Sequence, residues 1–111
     1  MPYDERLAER IRDLMPKGAR AVEKRMFGGL AFLVGGNMAV AATHDGGLMV
    51  RVDPDEGEQL VASTKAEPME MRGRSMSGWL RLDAEDVRTA PQLRKWVELG
   101  TAYARSLSPK R

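Results

Sequence analysis

The chain has no cysteine and a single histidine, which removes several chemistries at once. Without cysteine there are no disulfides, no thiolate nucleophile and no Cys-based zinc site. One imidazole, His44, is too few for a His-based metal centre, and no Ser or Cys nucleophile motif accompanies it. No apolar run approaches the ~20 residues that a membrane-spanning helix needs. The start, Met1-Pro2-Tyr3-Asp4-Glu5-Arg6, leads into no apolar signal segment, so the reading is cytoplasmic. Charge of one sign is also missing. Eighteen basic residues face sixteen acidic ones, for a net +2, and the signs are interspersed along the chain. Only Arg72-Gly73-Arg74 and the tail Ser108-Pro109-Lys110-Arg111 lean basic, unlike the patch or stripe of a dedicated nucleic-acid binder. At 111 residues, the length suits one domain over 1–111.

What is present reads as helix, sheet, short helix, sheet, long helix. Tyr3, Leu7, Ile11 and Leu14 recur at helical spacing over 4–15, with Asp4 as N-cap. Residues 20–27 alternate as a strand, and Leu30-Ala31-Phe32-Leu33-Val34 is apolar throughout, as in a doubly covered strand. Gly35-Gly36-Asn37 and Asp45-Gly46-Gly47 are turn sequences that join residues 38–43 and 48–52 into an antiparallel meander. Asp53-Pro54-Asp55-Glu56 starts a second helix that ends near 62 or 63. Residues 67–72 and 76–82 predict two more strands. Thr89 and Gln92 form a capping-box pattern, after which Leu93, Trp96, Val97, Gly100, Tyr103, Ala104 and Leu107 trace one helical face. Gly100 within that face costs about 1 kcal/mol against Ala, which close approach of the helix to the sheet would offset. The fold class is α+β, an antiparallel sheet with flanking helices in the order α-β-β-β-β-α-β-β-α.

No constellation supports a reaction. The glycine pairs fit neither GxxxxGK[ST] nor GxGxxG, and Asp53, Asp55 and Glu56 read as helix-capping acids. The reading is therefore non-enzymatic, with no cofactor, metal or membrane. Eight methionines are many for this length, and Met69, Met71 and Met76 gather around Arg72-Gly73-Arg74. Methionine fills cores, and it is also overused at promiscuous binding surfaces. Should the helices cover Val22, Met26, Leu48, Val50, Val52, Leu80 and Leu82, period-two alternation sends Arg25, Phe27, Met49, Arg51, Trp79 and Arg81 to the opposite face. Arginine mixed with aromatics and Met is interface chemistry. Three readings stand for this face: a protein or self-association surface (a homodimer included), a platform for single-stranded nucleic acid, or a second core layer with snorkelling arginines. Glycine turns and a Met-rich segment framing a small-ligand pocket are a further alternative.

The order of short motifs also resembles a known family. Tyr3-Asp4-Glu5 entering a helix is followed by Met26-Phe27-Gly28-Gly29, Ala31-Phe32, Gly36-Asn37-Met38 and Leu48-Met49-Val50-Arg51-Val52. Met76-Ser77-Gly78-Trp79, Leu93, Trp96 and Tyr103-Ala104-Arg105-Ser106-Leu107 with Pro109-Lys110 complete the series. Together they resemble the N-terminal domain of the TfoX/Sxy family, bacterial regulators of natural competence, over nearly the whole chain. Met26-Phe27-Gly28-Gly29 and Met76-x-Gly78-Trp79 are specific mainly as a pair. The resemblance implies a compact α+β domain similar to type III secretion chaperones, and it brings no catalytic residues with it. Full-length competence regulators add a helical C-terminal domain. Since this chain stops at Arg111, the expectation is a stand-alone N-terminal domain acting through protein contacts, with direct nucleic-acid contact as the alternative. Ser108 stands where the family often has proline.

Overall fold

The computed structural model describes residues 3–26, 28–71 and 73–109. Phe27, Arg72, Lys110 and Arg111, named above, lie outside the described residues, as does the side chain of Met71. Helix α1 is Glu5–Leu14, and its first turn is closed by Asp4, whose carboxylate accepts from the N–H groups of Arg6 and Leu7. Four strands follow as a meander: β1 (Val22–Met26), β2 (Gly29–Val34), β3 (Asn37–Ala42) and β4 (Leu48–Arg51). Gly35 and Gly36 both adopt positive φ, 60° and 80°, the geometry that a two-residue hairpin requires. Helix α2 (Pro54–Ser63), capped by Asp53, leads to β5 (Glu67–Met71) and β6 (Arg74–Leu82). Helix α3 (Ala90–Ser106) begins with a complete capping box between Thr89 and Gln92.

All strands pair antiparallel in one six-stranded sheet of order β1-β2-β3-β4-β6-β5. The α+β order agrees with the sequence reading. The main core lies on one face of the sheet, where Leu30, Phe32, Val40, Leu48, Val50, Leu80 and Leu82 meet Leu7 and Ile11 of α1 and Leu93, Trp96 and Val97 of α3. Leu60 and Val61 of α2 pack against the same core. All three helices therefore serve one face. Helix α3 sits close on β3: a Cβ built on Gly100 would lie 2.3 Å from the Ala39 carbonyl oxygen. That contact is why glycine occupies a helix interior here. Among the described residues, no helix is long and apolar enough to cross a membrane.

Candidate functional site

The helix-free face is built by pairing, residue against residue. Across β4 and β6, Leu48 pairs with Leu82 and Val50 with Leu80, all four in the main core. The intervening pairs, Met49 with Arg81 and Arg51 with Trp79, must then share the other face. Those four residues of the expected face come together as the alternation required. Ala41 lies opposite Met49, and Ala31 opposite Ala41, which extends this face across β3 and β2.

Arg25 does not join them. It pairs with Leu30, a core residue on the helix side, whereas Val22, Lys24 and Met26 fall on the helix-free side. The expected assignment of β1 is thus reversed. The reason is that strand pairing sets the facing of an edge strand: Met26 pairs with Gly29, and every alternate residue follows. At the edge, Val22 is 62% exposed, so its apolar character gives no guide to the core. Gly29, of the same motif, opens β2 against the backbone of Ala42 and Thr43. Gly28 lies beside His44, which is exposed.

The face has a buried floor and a half-buried rim. Ala31, Met38, Ala41 and Met49 form the floor, and Met26, Leu33, Met69 and Trp79 pack over it. The alternation read from the sequence does not place Ala31, Leu33, Met38, Ala41 or Met69 on this face. The uniformly apolar run through β2 has no alternation from which to read facing, and Met69 depends on the pairing of β5. A cavity of about 230 Å³ opens here, with Met26 of one edge strand and Met69 of the other both in its wall. The sheet therefore curls, bringing its two edges toward each other over Met49. Thr43, Asp45 and Arg81 line the same cavity.

The two remaining arginines of the face are already engaged. The Arg51 guanidinium carbon lies 4.9 Å from the Trp79 ring centre and 5.6 Å from that of Tyr103, so it touches α3 as well as the sheet. Arg81 donates to Asp45 at 2.7 Å and to Asp83 at 2.6 Å, and both carboxylates raise its already high pKa. Asp45 is held to about 2, first by the hydroxyl of Thr43, then by Arg81 and the N–H of Gly47. This turn-closing network went unseen in the sequence, because Asp45 and Arg81 meet only through strand pairing.

Met76 and Gly78, the other half of the motif pair, lie elsewhere. They line a cleft of about 330 Å³ with Pro54, Gly57 and Val61 of α2. Gly78 takes φ 80°, and its carbonyl accepts from Val52 N–H at 2.8 Å. A side chain there would run into the Val52 carbonyl at 2.6 Å. Trp79, next in sequence, points to the helix-free face instead. The motif thus joins the two sides of β6. Among the described residues, no group of three or more His, Asp or Glu side chains is arranged to hold a metal ion.

A family model described as TfoX N-terminal domain matches residues 13–104. A search of the curated proteins returns no match.

Proposed function

The chain belongs to the TfoX N-terminal domain family, and from that membership we propose that it is a non-enzymatic regulatory module that receives a partner protein on its helix-free sheet face. The observation that carries this reading is the rim of Met26, Leu33, Met69 and Trp79, half-buried over an apolar floor that no helix covers among the described residues. Methionine adapts its shape to different occupants, and tryptophan is a frequent energetic anchor. The cavity, at about 230 Å³, is below the roughly 300–1,000 Å³ of a typical small-molecule site, and it suits one or two apolar side chains of a partner. Recognition of nucleic acid is less favoured. Arg81 is neutralised by two carboxylates, and Arg51, which lies over the Trp79 and Tyr103 rings, is the one cation of the Met49–Arg51–Trp79–Arg81 group left to meet a phosphate. On this reading the partner is a component of a regulatory system, which the family resemblance supports.

The test is affinity capture from the native host with three baits: the unmodified chain, a Met69→Asp/Trp79→Ser variant, and Glu98→Ala on the exposed side of α3. The expected result is a partner retained by the first and third baits and lost by the second, with circular dichroism showing all three folded. An identical catch on the second bait, or no specific catch at all, refutes the reading.

A further inference from the structure

The two free edges of the sheet differ in their capacity to pair. Edge strand β5 contains Pro68, which has no N–H to donate, and its ladder with β6 is interrupted at Pro68/Met69. Glu67 and Glu70 add like charges along it. Edge strand β1 has no proline, and its five pairs with β2 run without a register shift. Val22, Glu23, Lys24 and Arg25 are all exposed. Val22 is the one large hydrophobic residue that is strongly exposed among the described residues.

We infer that β1 is the docking edge for a second copy of this chain, joined antiparallel about a two-fold axis through Lys24. The register follows from two constraints. On a strand paired along one side, alternate residues turn their N–H and C=O outward. A strand that pairs antiparallel with its own copy must set outward residues opposite outward residues, so the axis passes through a residue, never between two. An axis through Glu23 places Glu23 against itself and Val22 against Lys24. An axis through Arg25 places Arg25 against itself and Lys24 against Met26. An axis through Lys24 pairs all five residues of β1. Each Glu23 then faces Arg25 of the second copy, and each Val22 faces Met26 of the second copy.

The faces agree as well. Glu23 and Arg25 lie on the helix side of the sheet, while Val22 and Met26 lie on the helix-free side. The charge pairs and the apolar pairs therefore form on opposite faces of the joint, and the helix-free faces of the two copies become continuous. Glu23 already holds Arg12 at 2.5 Å, and a carboxylate has acceptor sites for a second guanidinium. Arg25 makes no ion pair within the chain among the described residues. The cost lies at the axis, where Lys24 meets Lys24 of the second copy. Like charges directly opposite are destabilising, so the association is weak and reversible. The interface is isologous and closes after two copies.

Sedimentation velocity on the full chain up to about 1 mM tests this. The unmodified chain shows a concentration-dependent monomer–dimer equilibrium. Glu23→Arg and Arg25→Glu each turn two attractive pairs into two repulsive ones and weaken the dimer about tenfold or more. An equimolar mixture of those two variants restores it as a heterodimer, because every Arg again faces a Glu. Lys24→Thr tightens it several-fold by removing the axial repulsion. Arg25→Glu leaves the Arg12–Glu23 pair in place, and circular dichroism confirms the fold of each variant. Two results overturn the proposal: monomers throughout, Lys24→Thr included, or a dimer indifferent to both charge reversals. The Met69→Asp/Trp79→Ser variant changes no residue of β1 and none of the Glu23–Arg25 pairs, and it keeps the dimer, so failure of this inference is distinguishable from failure of the partner-binding reading.

Discussion

Two glycines lie inside α-helices, and the same substitution has opposite effects at each. Replacing a helix-interior Gly by Ala ordinarily gains about 1 kcal/mol through backbone entropy. At Gly100, the new methyl group would sit 2.3 Å from the Ala39 oxygen, 2.9 Å from its carbonyl carbon and 3.0 Å from Cγ1 of Val40. The first two obstacles are backbone of β3, a buried strand, so α3 has to withdraw from the sheet. Overpacking of this kind costs about 1–3 kcal/mol, with a backbone clash at the upper end. Subtracting the propensity gain leaves Gly100→Ala about 2 kcal/mol less stable, or about 8 °C lower in Tm for a domain of this size. At Gly57 in α2, the added Cβ meets Gly78 Cα and Val52 Cγ2 at 3.6 Å, which is ordinary contact. Gly57→Ala is therefore expected to stabilise by about 0.5–1 kcal/mol. Thermal and urea denaturation of both variants, followed by circular dichroism, gives the signs directly. A Gly100→Ala protein as stable as the parent would refute the close-approach argument. A Gly57→Ala protein destabilised like Gly100→Ala would refute the distinction between the two sites.

Two further outcomes follow from the caps and the ion pairs. The folded chain holds Asp45 at about 2 against an ordinary 3.8, so its stabilising contribution is complete above about pH 4 and disappears as pH falls toward 2. Because its side chain is 42% exposed, solvent screening limits that contribution to about 1 kcal/mol. Asp45→Asn should flatten the acid limb of the stability–pH curve, leaving the smaller slope due to Glu23, whose pKa Arg12 lowers in the same sense; an unchanged limb counts against the Thr43–Asp45–Arg81 network. Thr89→Ala removes the hydroxyl that accepts from Gln92 N–H and should cost about 1 kcal/mol in urea denaturation, whereas Ser106→Ala at the exposed far end of α3 should cost much less.

Legibility in the sequence tracked how local each determinant is. Asp4, Asp53 and Thr89 are read correctly as caps because an N-cap needs only a side-chain oxygen two or three residues before its donor. The alternation of β4 and β6 separates Leu48, Val50, Leu80 and Leu82 from Met49, Arg51, Trp79 and Arg81, since a half-buried strand writes its facing into its own residues. At β1 the same rule misleads. Apolar Val22 and Met26 mimic a core stripe, yet four of the five residues are exposed and the strand is an edge. Tyr103 reads as part of the buried stripe of α3, whereas Thr101 fills the core and Tyr103 lies beside Arg51.

Helices, strands, turns and their order are thus set by interactions spanning a few residues, and that is why they can be recovered from the chain alone, along with the family, whose model matches residues 13–104. Which way β1 faces, that Met26 and Met69 from opposite edges share one cavity, and that Arg51 and Arg81 meet internal partners depend on pairing register and sheet curvature. Those are properties of residues far apart in sequence, so no local pattern encodes them, and they come into being only when the strands pair and the sheet curls.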